Sequence, residues 1–79
     1  MLMNLKRWID TKIVARSGEF DSHYYLLQND DVRRADLDPL SHYMRFGWKE
    51  GRDPSSRFST NFYLQNNPDV LQAGTNPLL

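Results

Sequence analysis

The chain has 79 residues and no cysteine, and its ten Lys and Arg residues balance ten Asp and Glu residues. A chain of this length builds one small domain with a modest core, which argues against a self-sufficient enzyme with a deep pocket. Zero formal charge gives no general attraction for nucleic acid, so no nucleic-acid partner is expected. Without cysteine a disulfide framework is excluded, and a reducing compartment is allowed.

The N-terminal segment, residues 1–18, predicts an amphipathic helix. At 100° per residue Leu2, Leu5, Ile9 and Ile13 fall on one stripe, and a Ser-Gly pair then ends the pattern. The segment carries a net charge of +3, whereas residues 19–41 carry −4. The helix is therefore expected either to dock on the acidic part of the chain or to lie on a membrane surface, which its tryptophan and flanking basic residues would suit.

The second half of the chain repeats the first at an offset of 38 positions. Residues 20–40 and 58–78 share nine identities in 21 aligned positions without a gap. The identical pairs are Phe20/Phe58, Tyr25/Tyr63, Leu26/Leu64, Asn29/Asn67, Asp31/Asp69, Val32/Val70, Ala35/Ala73, Pro39/Pro77 and Leu40/Leu78. A period of this size is typical of helical arrays. The sequence therefore predicts a first unit at residues 19–57 and a truncated second unit at residues 58–79.

Capping residues predict helices inside both units. Asp21 and Ser59 are good N-cap residues that each follow a phenylalanine, which predicts hydrophobic staples and helices from Ser22 and Thr60. Three Asx-Pro pairs predict further starts with proline at the first helical position. Those starts are Pro39, Pro68 and Pro77. The fold class expected is all-α, although the alternation of apolar residues from position 58 to position 64 would also suit a strand.

The stretch GWKEGRDPSSR, residues 47–57, is interpreted as the connector between the units. Gly47 and Gly51 are expected to supply left-handed backbone, with Gly47 ending the helix that begins at Pro39. Trp48 is expected to fold back and staple one unit onto the next, with an exposed contact as the alternative. Tyr25 and Tyr63, like Leu26 and Leu64, are expected at equivalent inward positions.

Motifs that carry chemistry are not found in the sequence. The aspartates of NDDVRRADLD lack the ligand order of a calcium loop and are interpreted as solvated turns. His23 and His42 lie beside tyrosines and lack a third ligand, so both are interpreted as packing or capping residues. We predict no catalytic residue, no metal site and no cofactor.

Residues 17–79 resemble a bacterial repeat with the motifs F-D-x-x-Y-Y-L, N-P-D-V, G-x-x-P-L-x-H-Y and G-x-x-E-G-R-x-P. That repeat often precedes the catalytic domains of cell-surface polysaccharide glycosyltransferases, including rhamnan-synthesis-like enzymes, and occurs in tandem in other large bacterial proteins. Here Asp30 replaces the motif's proline and Asp36 its glycine, and the second copy stops at Leu79 before the H-Y pair. The resemblance implies an accessory module and carries over no catalytic residue.

The function expected is that of a non-catalytic, cytoplasmic helical repeat module that mediates protein interaction or positions an attached or separate glycosyltransferase. One alternative is a module peripheral to the inner membrane, or one that contacts carbohydrate through exposed Trp48, Tyr24 or Tyr43. Another is a glycosyltransferase fragment with activity of its own. The candidate interaction surface consists of Leu5, Trp8, Ile9, Lys12, Trp48 and Arg52.

Overall fold

Short helices joined by tight turns make up most of the structure. The computed structural model of the chain describes residues 5–78, apart from the side chains of residues 5–8 and of Leu71. The helices are α1 (Leu5–Ser17), α2 (Ser22–Gln28), α3 (Asp30–Arg34), α4 (Pro39–Arg45), a 3-10 helix (Gly47–Glu50), α5 (Thr60–Asn66) and α6 (Pro68–Ala73). Over residues 5–78 no strand forms, and one isolated bridge joins Ser55 to Phe58. The all-α prediction is confirmed.

Side-chain caps begin three of the helices where the sequence predicts them. Asp21, Asp38 and Ser59 each accept a hydrogen bond from the backbone N–H three residues on, at 3.0, 2.9 and 3.2 Å. Each cap satisfies a donor that the first helical turn leaves without an intrahelical partner. Helices α2, α4 and α5 therefore start at their predicted residues.

Hydrophobic staples accompany the caps of α2 and α5. The ring of Phe20 lies 5.3 Å from that of Tyr25, and the ring of Phe58 lies 5.5 Å from that of Tyr63. In both cases the residue before the N-cap packs on the fourth helical residue, which fixes the angle at which the chain enters the helix.

The asparagine before α6 makes a different hydrogen bond from that of the predicted N-cap. Helix α6 does begin at Pro68, but the side-chain amide of Asn67 donates to the Tyr63 carbonyl at 2.8 Å. It therefore satisfies a carbonyl at the end of α5. The third Asx-Pro pair leads into a turn at Pro77, and no helix begins there within the described residues.

Helix α3 was not predicted, because its five residues include four charged ones and show no apolar spacing. Two of the aspartates interpreted as turns, Asp30 and Asp31, instead lie in its first turn, and its last turn contains Arg33 and Arg34. That order complements the helix dipole. After the helix the backbone of Asp36 takes a left-handed φ of 58°, a conformation that usually belongs to glycine.

Helix α1 presents a different face to the core from the predicted stripe. Val14 is fully buried, whereas Ile9 and Ile13 are 42% and 50% exposed. Leu2, the first residue of the predicted stripe, lies outside the described residues. Gly18 follows the helix with a φ of 77°, as the predicted Ser-Gly ending requires.

Helix α4 lies at the centre of the fold, where it packs on α1, α2 and α3. Helices α5 and α6 pack on each other and reach the core through Leu64 and Val70. The predicted equivalence of the two units holds in part for burial. Tyr25 and Leu64 are buried, but their counterparts Tyr63 and Leu26 are only half-buried at the edge of the core. The buried apolar residues are Val14, Tyr25, Val32, Tyr43, Met44, Trp48 and Leu64.

Candidate interaction site

The connector begins inside the core. Trp48, in the 3-10 helix after α4, is only 4% exposed, and its ring joins the cluster that contains Leu64 of the second unit. The burial agrees with the stapling prediction. It also takes Trp48 out of the candidate interaction surface, because a buried ring has no face left for a partner.

Gly47 is needed for space and not for a left-handed backbone. Its φ is not positive, and α4 already ends at Arg45. A Cβ built on Gly47 would collide with the hydroxyl of Tyr25. Gly51 does adopt the predicted left-handed conformation, with a φ of 79°. The two glycines of the connector are therefore required for different physical reasons, which are space at Gly47 and backbone conformation at Gly51.

Arg52, another residue of the predicted surface, is held by the chain's own acidic groups. Its guanidinium forms a bidentate pair with Asp31, with N–O distances of 2.9 and 2.8 Å. It also donates to Glu50 at 2.9 Å and to the side-chain oxygen of Asn29 at 3.0 Å. With its side chain 23% exposed, Arg52 ties the connector to the α2–α3 corner.

This pairing shifts the protonation equilibria of both partners. The hydrogen bonds from Arg52 lower the pKa of Asp31 to about 2, and the same contact raises the pKa of Arg52. Because the Asp31 side chain is 62% exposed, solvent screens the pair, and it contributes less than a buried one would.

Thr60 joins the second unit to the first. It is fully buried, and its hydroxyl lies 3.1 Å from the Tyr43 hydroxyl and donates to the Arg52 carbonyl at 2.7 Å. Its backbone N–H donates to the carboxylate of Asp53 at 2.8 Å. Burial raises the pKa of Tyr43 to about 12, so its hydroxyl keeps its proton in neutral solution.

In the first unit, α4 covers the stapled aromatic pair of α2. The Tyr43 ring lies 5.6 Å from Phe20 and stands edge-on to Tyr25 at 5.8 Å. The Tyr25 hydroxyl forms a 2.8 Å hydrogen bond with Nδ1 of His42. The histidine is therefore a packing and hydrogen-bonding residue, as the sequence predicts. Burial raises the pKa of Tyr25 well above its usual value.

In the second unit, the corresponding pair lies at the edge of the core, where Tyr63 packs against the buried cluster. Phe58 and Tyr63 are both half-buried, and within the described residues the Tyr63 hydroxyl has no hydrogen-bond partner.

An exposed surface lies on α1. Ile9, Lys12, Ile13 and Arg16 line a shallow cavity of about 360 Å³ on the outer side of the helix. Ile9 and Lys12 were predicted to lie on an interaction surface, and both are exposed. The side chains of Leu5 and Trp8, also part of that prediction, lie outside the described residues.

Two further concave surfaces in the described part of the chain are open to solvent. An open polar groove of about 660 Å³ lies between the start of α2 and the Ser55–Arg57 segment. A smaller apolar one, of about 100 Å³, includes Leu37 and Phe46, each 49% exposed. In the part of the chain that the structure describes, no group of three His, Asp or Glu side chains could hold a metal ion.

The aromatic rings proposed for carbohydrate stacking are mostly unavailable. Tyr43 is fully buried and Trp48 nearly so, whereas Tyr24 is half-buried. A stacking platform needs an open ring face, so Tyr24 alone of these three residues retains part of one.

Comparisons with known proteins add no relative to this picture. The chain matches no protein-family model, no curated protein and no solved structure. Over the described residues, every helix is too short or too polar to cross a bilayer.

Proposed function

We propose that the chain is a non-catalytic helical module in which one unit of about 38 residues recurs from residue 58. We further propose that it positions a bacterial cell-surface polysaccharide glycosyltransferase, attached or separate, in the cytoplasm. The observation that carries the proposal is that contacts recur at the sequence offset of 38 residues. The glycosyltransferase association is supported by the motif resemblance of residues 17–79.

The recurring contacts begin with the backbone at the helix starts. The N–H of Tyr25 donates to the Asp21 carbonyl at 2.9 Å, and that of Tyr63 donates to the Ser59 carbonyl at 3.0 Å. With the two staples of 5.3 and 5.5 Å, these bonds give α2 and α5 the same entry geometry.

The ends of the two helices also correspond. The amide of Asn29 donates to the Tyr25 carbonyl at 2.8 Å, and that of Asn67 donates to the Tyr63 carbonyl at the same distance. Asparagine therefore closes both helices by satisfying a carbonyl four residues back.

The turns that follow α3 and α6 correspond as well. Asp36 and Gly74, which align at the 38-residue offset, have left-handed φ values of 58° and 68°. Each turn is closed by a backbone hydrogen bond to the aligned valine, from Leu37 to Val32 at 3.2 Å and from Thr75 to Val70 at 3.3 Å. Such agreement of backbone and side chains supports two copies of one unit.

Co-elution tests the glycosyltransferase association. The purified chain is mixed with the glycosyltransferase encoded in the same or the neighbouring reading frame and analysed by gel filtration. We expect the two to elute together, and we expect the chain alone to turn over no sugar nucleotide. Separate elution would contradict the association, and turnover by the chain alone would contradict a non-catalytic role.

A membrane-peripheral function is a second candidate, favoured by the α1 surface. There, two half-exposed isoleucines lie beside Lys12 and Arg16, a combination that suits an anionic lipid interface. Sedimentation with phosphatidylglycerol vesicles tests it. Ile9→Ser with Ile13→Ser should abolish co-sedimentation, and Leu27→Ser, at a residue 63% exposed on α2, is the matched control. Equal sedimentation of all three proteins would remove this candidate.

A further inference from the structure

One face of α4 is exposed and forms a shallow groove of about 100 Å³. The side chains that line it are spaced three and four residues apart on α4 and its flanking residues, so they form one stripe along the helix. Two of the large apolar side chains that the fold leaves exposed, Leu37 and Phe46, belong to this stripe, and each is 49% exposed. The lining residues are Leu37, Asp38, Ser41, His42, Arg45 and Phe46.

The order of residues along the stripe is symmetric about its midpoint, which lies between Ser41 and His42. Leu37 and Phe46 lie at equal distances along the chain on either side of that point. A second α4, laid antiparallel on the first about a two-fold axis through the midpoint, therefore brings Leu37 against Phe46 of the other copy. The hydrogen bond between Nδ1 of His42 and Tyr25 stays within each copy, so the pairing leaves the core in place.

The charges of the groove follow the same symmetry. Asp38 and Arg45 also lie at equal distances from the midpoint, and both are exposed. Within the described residues neither forms an ion pair, since the Asp38 carboxylate caps α4 through Oδ2 and the Arg45 guanidinium lies 5.2 Å from the Phe46 ring centroid. The antiparallel arrangement places each Asp38 beside the Arg45 of the other copy. The face is therefore complementary to itself, as a symmetric dimer interface requires.

We propose that this face of α4 is a dimerisation surface, which pairs with α4 of a second copy of the chain, antiparallel about a two-fold axis. The interface contains two contacts between Leu37 and Phe46 and two ion pairs between Asp38 and Arg45. A partner of another sequence would need the same order of charged and apolar side chains, which a second copy already has. The inference concerns self-association and does not rest on the proposed function.

The size of the face sets the expected affinity. Six side chains of each copy line it, whereas a stable interface uses roughly 20–30 residues a side. Its ion pairs are exposed, so each contributes little. The dimer is therefore expected to be transient, with a dissociation constant of about 0.1–1 mM, and to weaken as salt screens the ion pairs.

Nuclear magnetic resonance of the full-length chain, labelled with ¹⁵N, provides the test. Translational diffusion and amide shifts are followed as the protein concentration rises from about 0.05 to about 3 mM, which brackets the expected dissociation constant. We expect the diffusion coefficient to fall towards that of a dimer. The amide shifts that change with concentration should centre on residues 37–46.

A serine substitution tests the apolar contacts. Leu37→Ser should weaken the dimer by roughly tenfold or more, because the symmetry removes two contacts at once. Leu27→Ser is the matched control, since Leu27 is 63% exposed on α2 and lies outside the groove, and it should dimerise as the parent does. The amide spectrum of each variant shows whether it is folded.

Charge reversal tests the two-fold arrangement. Asp38→Arg alone and Arg45→Asp alone each place like charges together twice, so each variant should dimerise roughly tenfold or more weakly than the parent. An equimolar mixture of the two, with one labelled, should recover the parent's affinity, because opposite charges then meet at both positions. Since Asp38→Arg also removes a helix cap, Asp38→Asn is the milder variant, which keeps the cap and should weaken the dimer by roughly 2- to 10-fold.

Four results would overturn the inference. The first two are a monomer at every concentration and a dimer that a folded Leu37→Ser variant leaves unchanged. The third is a mixture of folded Asp38→Arg and Arg45→Asp variants that dimerises no better than either alone. The fourth is a dimer that Ile9→Ser with Ile13→Ser abolishes and Leu37→Ser does not, which would assign self-association to the α1 surface.

Discussion

The two units share their local geometry but differ in what covers it. In the first, Tyr25 is fully buried beneath α4 and hydrogen-bonded to His42. In the second, Tyr63 makes the same staple and the same backbone bonds yet is only half-buried. The same cap and staple therefore accompany different burial of the helix tyrosine, and the full burial of Tyr25 depends on α4.

The largest expected difference is between the two tyrosines. Tyr25→Ala removes a fully buried ring and should lower the free energy of unfolding by about 3–5 kcal/mol. Tyr63→Ala removes a half-buried ring and should lower it by roughly 1–2 kcal/mol. Urea denaturation followed by circular dichroism measures both.

Phenylalanine substitutions provide the milder control, because a small domain can lose its fold entirely when a core ring is removed. Tyr25→Phe deletes only the bond to His42 and should lower the free energy of unfolding by about 0.5–1.5 kcal/mol. Tyr63→Phe should have almost no effect. Equal losses at the two positions would contradict the difference in cover.

Gly47 should be the next most sensitive position, because α4 can cover Tyr25 only if this residue lacks a side chain. Gly47→Ala should lower the free energy of unfolding by about 1–3 kcal/mol through overpacking against the Tyr25 hydroxyl. The double variant with Tyr25→Phe, which has no hydroxyl, should recover part of that loss. Purely additive losses in the double-mutant cycle would show that the two residues do not meet.

The aspartates aligned at the 38-residue offset provide a pH-dependent comparison. Arg52 lowers the pKa of Asp31 to about 2, below its ordinary value near 3.8. Its contribution to stability is therefore fully present above about pH 4 and is lost as the pH falls towards 2. Asp31→Asn should make the urea-denaturation midpoint depend less on pH over that range. Asp69→Asn should leave the dependence of the midpoint on pH close to that of the parent. A profile unchanged by Asp31→Asn would argue against the pairing.

The smallest effects are expected at the two left-handed turn positions. Asp36→Gly should raise the free energy of unfolding by up to about 0.5 kcal/mol, since glycine adopts a positive φ without strain. Gly74→Ala should lower it by about 1 kcal/mol through strain alone, because a Cβ there would meet no neighbour. Changes of the opposite sign would show that the turns differ from those described.

The sequence predicted the features that residues within one helical turn determine. Helix starts at Ser22, Pro39, Thr60 and Pro68 follow from capping residues and prolines that act within one turn. Helix α3 was not predicted because it has no apolar spacing of its own. Its packing against α2 and α4 brings Val32 into the core. Periodicity is a weak guide for a helix of five residues.

The arrangement around the candidate site depends on distant contacts, which a sequence pattern does not contain. Arg52 meets Asp31 across 21 positions of sequence, and Gly47 meets Tyr25 across 22. On α1 the periodicity identified an apolar helix but not which of its apolar residues face the core, so Val14 was missed.

Amide hydrogen exchange, followed residue by residue at neutral pH, tests the central claim most directly. The amides of Tyr25 and Tyr63 donate to aligned carbonyls over nearly equal distances, so their local hydrogen bonds are matched and their cover differs. We expect exchange at Tyr25 to be slower than at Tyr63 by roughly tenfold or more, after correction for intrinsic rates, because the covered unit opens less often. Equal protection, or slower exchange at Tyr63, would contradict the account.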